Sequence, residues 1–181
     1  MNKIGEPLPG VLLLETPVHR DTRGYFIEIF QNSKLAAVGV TAPFVQDNVT
    51  RSRRRTIRGL HFQNPSPQGK LISVIQGRIF DVMVDVRRDS PRFKAWAGVE
   101  LNDGAGQLLW IPPGFAHGFQ VLSEDALVFY KATDYWNVAA ERAIRWDDPA
   151  IGIHWPLADP ILSEKDAVAP RLEDVQSLPE S

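Results

Sequence analysis

The chain contains no cysteine. That removes disulfides, thiolate nucleophiles and cysteine-ligated metals together, and it gives no sign of an oxidising compartment. A long apolar run is also missing. The N-terminal run at 11–14 is broken upstream by Pro7 and Pro9 and is too short for a signal-peptide core. No other stretch is long enough to span a bilayer, so a cytoplasmic protein without a membrane partner is expected. An excess of one charge is lacking too. The formal net charge of -2 gives no general attraction to nucleic acid or to an anionic membrane. Arg51, Arg53, Arg54 and Arg55 cluster without interleaved aromatics, which reads as a solvated loop with arginines free to meet phosphates. There is no internal repeat and no low-complexity tract.

What is present fits one core. With 181 residues and 44% hydrophobic content, a single domain over 1–181 is expected. Short apolar runs separated by Gly, Pro, Asn and Asp predict strands at 11–14, 25–30, 42–50, 56–63, 71–76, 78–85, 95–101, 107–111, 118–122 and 126–133. Gln76-Gly77 and Asn102-Asp103-Gly104 are expected to close hairpins. One short helix is expected at 33–39, capped by Asn32 or Ser33, and a second from Ser163 with a capping-box pattern. About ten closely spaced strands predict an all-β jelly-roll barrel or sandwich with few helices. In 126–130, Val128 and Tyr130 alternate with Leu127 and Phe129, so both faces are apolar. Such a strand implies a second covered surface, most simply a homodimer interface. The tail after Pro170 is polar, with Val175 and Leu178 available to pin it.

Four histidines are present: His19, His61, His117 and His154. Taken singly, a histidine is usually a satisfied core or surface residue. His19 reads as surface, and His154, beside Trp155, has no assigned role. The other two have patterned neighbours. The spacing Gly106, Pro112, Gly114, His117 resembles the second motif of the cupin superfamily, whose His binds a metal at the mouth of a small barrel. The first cupin motif expects His-x-His followed by a Glu. Here His61-Phe62-Gln63 keeps one histidine, and counting back from Gly77 over six residues lands on Lys70 in place of the Glu. A lysine cannot help hold a cation. The comparison implies a site with no metal and no cofactor, in which an ammonium stands about where the metal charge stood and is available to an oxyanion.

Seven motifs then occur in order: Asp21-x-Arg23-Gly24-x-Phe26, Gln46-Asp47-Asn48, Arg58-Gly59-Leu60-His61-x-Gln63, Gln68-Gly69-Lys70, Asp85-Val86-Arg87, Pro113-Gly114-Phe115-Ala116-His117-Gly118-Phe119 and Leu162-Ser163-x-Lys165-Asp166. Together they resemble the dTDP-4-dehydrorhamnose 3,5-epimerase family over nearly the whole chain. The resemblance implies a cupin-type barrel, a homodimer, and a dTDP-4-keto-6-deoxyhexose as the substrate, inverted at C3 and C5 through an enolate. It implies His61 as base, Asp166 as its orienting carboxylate, Lys70 at the enolate oxygen and Tyr130 as proton donor. It further implies substrate contacts from Arg23, Glu28, Gln46, Asp47, Asn48, Arg58, Gln63, His117, Glu141 and Lys165.

Without the resemblance, Asp166 reads as a helix-start residue, Lys70 as a surface lysine and Tyr130 as a structural tyrosine whose hydroxyl needs a buried partner. Arg58 and His61 are three apart and would face opposite sides of a regular strand. Either Gly59 marks a bulge, or Arg58 serves another part of the site or the partner's site. The second is the expectation here. Trp136, Asn137 and Ala143 depart from the family pattern near the presumed sugar or base pocket, and so bear on the substrate more than on the chemistry. Three rivals stand beside the double epimerase: a single-position epimerase, a metal-dependent cupin oxygenase or isomerase, and a non-catalytic sugar-nucleotide binder.

Overall fold

Thirteen strands form among the described residues, 1–180, of the structure, which is a computed structural model. Ser181, the last residue of the expected domain, lies outside them. In chain order the elements are β1 (Asn2–Leu8), β2 (Val11–Glu15), β3 (Val18–Asp21), β4 (Gly24–Ile27), α1 (Asn32–Ala37), β5 (Gln46–Arg53), β6 (Ile57–Gln63), β7 (Lys70–Gln76) and β8 (Arg78–Asp85). They continue with β9 (Trp96–Asn102), β10 (Gln107–Ile111), β11 (Phe115–Val121), β12 (Asp125–Ala132), β13 (Glu141–Ala143) and α2 (Glu164–Ala167). All ten expected strands are found. β1, β3 and β13 were not anticipated, because β1 carries Gly5 and Pro7, β3 is mostly polar and β13 has three residues. Pairing rather than local pattern defines them.

The strands build a six-stranded sheet in the order β1-β2-β10-β7-β12-β5 and a five-stranded sheet in the order β13-β6-β11-β8-β9, with β3-β4 as a separate hairpin. The sheets face each other as a jelly-roll barrel, and alternation decides what fills it. Ile72 and Val74, Ile79 and Met83, Phe115 and Phe119, and Ala126 and Val128 point inward into one core. On the outer face of the five-stranded sheet, Leu60, Val82, Val84 and Ala116 meet Ile144, Ile151, Leu172 and Val175. The tail is therefore pinned by Val175 and Leu178, as expected, and Arg88 N–H donates to the Pro179 carbonyl at 2.9 Å.

Three local expectations need correction. Gln76-Gly77 and Asn102-Asp103-Gly104 close no hairpin: each carries the chain from one sheet to the other, and β7 pairs with β10 and β12 instead of β8. The two corners brace each other, Asp103 N–H donating to the Gly77 carbonyl at 3.0 Å and Gly77 N–H to Asp103 Oδ2 at 2.9 Å. A turn residue marks a reversal without saying which sheet receives the chain. The first helix is capped by Gln31 backbone geometry, with no side-chain cap from Asn32 or Ser33. The second begins as expected, Ser163 accepting from Asp166 N–H at 3.1 Å.

The doubly apolar strands find part of their cover within the chain. The outer face of the six-stranded sheet is half covered by α1 and the segment around Phe30 and Phe44, packed on Leu14, Leu108 and Trp110. The other half stays open, with Val49 at 64% and Ile75 at 40% exposure, near Phe26 at 67%.

Candidate active site

Polar residues enter the barrel where the inward columns of β5, β6, β7, β11 and β12 change character. Along β7 the inward series runs Lys70, Ile72, Val74, and along β12 it runs Tyr130, Val128, Ala126, so each column is polar at one end and apolar below. His61 on β6 sits directly opposite His117 on β11. One cleft of about 390 Å³ is lined by Gln46, Asn48, His61, Gln63, Lys70, Tyr130 and Glu141, with Phe62, Gln68 and Trp136. A second compartment of about 200 Å³ shares His61, Lys70 and Tyr130 and adds Arg58, His117, Lys165 and Asp166.

The bulge reading of Arg58 is the right one. His61 pairs with His117 and Arg58 with Phe119, so Gly59 and Leu60 together oppose the single residue Gly118. The extra residue turns Arg58 to the same cavity as His61, in the same chain. Gly59 has φ +124, and a Cβ there would lie 2.6 Å from Gly118 Cα. Only glycine fits. Arg58 Nε donates to Ser52 Oγ at 2.8 Å, which fixes its direction.

Asp166 reaches His61 across more than a hundred residues because the chain before α2 is tied to β6. Ile57 N–H donates to the Ile161 carbonyl and Ile161 N–H to the Arg55 carbonyl. The Ser163 cap then starts α2 and aims Asp166 inward, where it is 3% exposed. His61 Nε2 and Asp166 Oδ1 lie 2.6 Å apart. Burial pushes the Asp166 pKa up, but bonding to His61, Ser163 and the Gly59 amide outweighs it and holds the carboxyl below its usual range. Asp166 is thus a carboxylate at neutral pH. The imidazole proton is drawn to Nε2, leaving the Nδ1 lone pair free.

Lys70 is no surface lysine. Loss of hydration lowers its pKa to about 8, opposed by the charges of Asp81 and Glu141. Tyr130, expected at the site as the proton donor, lines both compartments; burial and Glu141 raise its pKa, and Arg58 opposes them. Glu141 Oε2 also pairs with Lys165 Nζ at 2.5 Å across the mouth. His117 Nε2 lies 2.9 and 3.1 Å from the two oxygens of Asp81, which is 0% exposed. Sequence reading missed Asp81. Its signal was an acid at an inward position between Ile79 and Met83, in a strand otherwise read as core.

Two glutamines that line the cleft also hold the loops around it. Gln63 gives both ends of its amide to loops, donating to the Ser66 and Tyr135 carbonyls and accepting from Asn137 N–H at 2.7 Å. Gln46 accepts from Trp136 N–H at 2.8 Å and donates to Asn48 Oδ1 at 2.9 Å. Gln68 donates to the Asp134 carbonyl at 2.7 Å. Together they fasten the loop that carries Trp136 to the cleft. Asn48 Nδ2 remains buried without a partner, a donor left for whatever fills the cleft.

Three expected contacts are not brought to this site. Asp47 falls on the opposite face of β5 from Gln46 and Asn48, and Lys131 Nζ donates to it at 2.6 Å. Arg23 sits at the β3–β4 turn, bonded to Asp21, and lines a separate cleft with His19 and Tyr25. Glu28 pairs with Lys34 at 2.7 Å. Among the described residues, no group of three or more His, Cys, Asp and Glu side chains is placed to hold a metal ion. No helix among them is long and apolar enough to cross a membrane.

A family model described as dTDP-4-dehydrorhamnose 3,5-epimerase matches residues 6–174. The dTDP-4-dehydrorhamnose 3,5-epimerase of Salmonella typhimurium is 48% identical over 169 residues, 92% of each chain. The crystal structure of a dTDP-6-deoxy-D-glucose-3,5-epimerase from Legionella pneumophila, in complex with dTDP-4-keto-L-rhamnose, superposes with a TM-score of 0.95 at 43% identity, covering 99% of this chain and 98% of that one. ChmJ, a 3'-monoepimerase from Streptomyces bikiniensis in complex with dTDP-quinovose, gives 0.89 at 33% identity, covering 97% and 93%. The likeness spans the barrel, the cleft and the strands that carry His61, Lys70 and Tyr130, and this chain belongs to the dTDP-4-dehydrorhamnose 3,5-epimerase family.

Proposed function

We propose that this chain inverts C3 and C5 of a dTDP-4-keto-6-deoxyhexose by proton removal and return, without a metal. The observation that carries the reading is a carboxylate-oriented histidine facing a lysine and a tyrosine across one cavity. The C–H bonds at C3 and C5 flank the C4 ketone, so their protons are acidic only if the electron pair passes to the ketone oxygen. His61 Nδ1 takes the proton, and the imidazolium is held by Asp166. The C–H pair becomes the enolate double bond, and the oxygen charge falls to the Lys70 ammonium. The Tyr130 hydroxyl then gives a proton to the opposite face of the carbon, and both groups re-equilibrate with solvent. Lysine in the cupin Glu position supports a metal-free path, because the charge needed at the oxygen is already covalently present.

The test is exchange with solvent deuterium in the presence of a chelator. Incubation with the 4-keto sugar should label C3 and C5 at undiminished rate. Label at one carbon alone would replace the double epimerase with a single-position enzyme, such as ChmJ is described to be. A rate abolished by chelator and restored by metal would remove the metal-free path.

The same reading includes a homodimer. Val49, Ile75 and Phe26 leave an apolar face open on the six-stranded sheet, and Arg23 and Glu28 lie outside the chain's own cleft. A second copy placed on that face would cover it and bring the β3–β4 hairpin to the partner's cleft. Arginine suits a diphosphate because its planar fork offers paired donors. Arg23→Ala and Lys70→Met should each be nearly inactive alone, while mixed dimers regain a fraction of wild-type activity. Mixtures no more active than either variant would place Arg23 in its own subunit's site or outside catalysis.

A further inference from the structure

We propose that Gln120, which lines neither compartment of the cleft, is a positioning residue for the reaction: it clamps the strap that delivers Asp166 to His61. This rests on the assignment of Asp166 as the carboxylate that orients the base.

The strap is the stretch 156–163, which runs directly into α2. It has no helix or strand of its own beyond a single bridge between Ile161 and Thr56. Most of its residues are exposed, and among the described residues none of its side chains joins an apolar core. Polar contacts must therefore fix its course. Close to α2, Ile57 N–H donates to the Ile161 carbonyl at 3.0 Å and Ile161 N–H to the Arg55 carbonyl at 3.1 Å. One point of attachment leaves a pivot, and a second is needed to set the direction. Gln120 supplies it. Its Nε2 donates to the Leu157 carbonyl at 2.8 Å, and its Oε1 accepts from Leu157 N–H at 2.9 Å. The amide thus closes a ring with the main chain of one residue. Between the two points, Arg55 reaches the Ala158 carbonyl and Asp159, but that ion pair is open to water and salt and holds less.

Gln120 breaks the pattern of its own strand. It lies on the outer face of β11, in the column of Ala116 and Gly118, and is 0% exposed. An amide is buried at a cost unless it is bonded, and here both of its ends are given to Leu157. In register Gln120 pairs with Ile57, the residue that grips Ile161, and Ile57 opens the strand that carries His61. Base and carboxylate are therefore mounted on one frame, β6 and its neighbour β11. The 2.6 Å contact between His61 and Asp166 is the product of that frame.

The test is Gln120→Met, which nearly keeps the length and removes both bonds. kcat should fall by about ten-fold, short of the roughly hundred-fold that a full ångström of misplacement can cost. In an Asp166→Asn background the same change should cost less than about two-fold, because the clamp acts through that carboxylate. Proton NMR gives a readout independent of turnover. The downfield imidazole proton between His61 and Asp166, absent from Asp166→Asn, should move upfield in Gln120→Met. An equal loss of kcat in both backgrounds, or an unmoved proton, is what a merely structural glutamine would give and overturns the proposal. A displaced proton with unchanged kcat would leave the clamp standing and instead remove the orienting role from Asp166. Should Gln120→Met fail to fold, Gln120→Glu keeps the shape and the acceptor and loses the donor. It should displace the proton the same way, and an unmoved proton overturns the proposal.

Discussion

Replacing His61 by Asn is expected to reduce kcat by about 10³-fold, within the range of a lost general base, while leaving affinity for dTDP within a few-fold of wild type. Asparagine still offers an amide of similar size, and the Ser163 cap keeps the α2 start in order. The asparagine Nδ2 ends near the place of the imidazole Nδ1, and so gives up the 2.6 Å contact of Nε2 with Asp166. What it cannot do is accept a proton. Other polar groups are available to dTDP: the Asn48 amide, Trp136 and Glu141 line the wider cleft, and Arg58 and Lys165 line the other compartment. Calorimetric titration with dTDP, beside turnover of the 4-keto sugar, separates the two. Turnover within ten-fold of wild type would sink the base assignment, and an equal loss of dTDP binding would show His61 to be part of the nucleotide site.

Lys70→Met should cost about 10²-fold to 10³-fold in kcat, the usual loss when a donor to a developing oxyanion is removed. Methionine nearly matches the lysine stem in an enclosed inward position, so folding should be kept. The more telling outcome concerns pH. Wild-type kcat is expected to fall through about pH 8 as Lys70 loses its proton, and the residual activity of the variant should show no such limb. The sign follows from the chemistry: the protonated amine is the working form, it persists below its pKa, and activity declines as pH rises through it. If the limb remained in Lys70→Met, some other group would be responsible for it. Deuterium exchange into substrate should fall in step with turnover, since the charge is needed when the enolate forms and not only when it collapses.

Much of the fold was legible because inward alternation and turn residues mark strands locally. Sheet membership was not. Gln76-Gly77 and Asn102-Asp103-Gly104 look like hairpin turns in isolation, and only the pairing of β7 with β10 and β12 reveals them as corners. The chemistry was legible where residue type was unusual for its motif, as with Lys70 in the place of a ligand. Asp81 was not legible because an acid between Ile79 and Met83 becomes the partner of His117 only through the β8–β11 register. The opposite error concerned Arg58. Regular alternation sent it to the far face, and one extra residue at Gly59 returned it. Asp47 fails for the plain reason that its neighbours Gln46 and Asn48 take the inward side.

The loop at the mouth of the cleft is fastened through its main chain. Trp136 and Asn137 are gripped by their backbone N–H groups, and the hands that grip them, Gln46 and Gln63, belong to the barrel. A change of side chain at 136 leaves that mounting in place, while at 137 the Asn Oδ1 also accepts from Ala139 N–H at 2.9 Å. Selectivity and chemistry can therefore evolve at different speeds in this scaffold: the rim can be rewritten residue by residue to greet a new sugar nucleotide, while the engine below keeps its alignment.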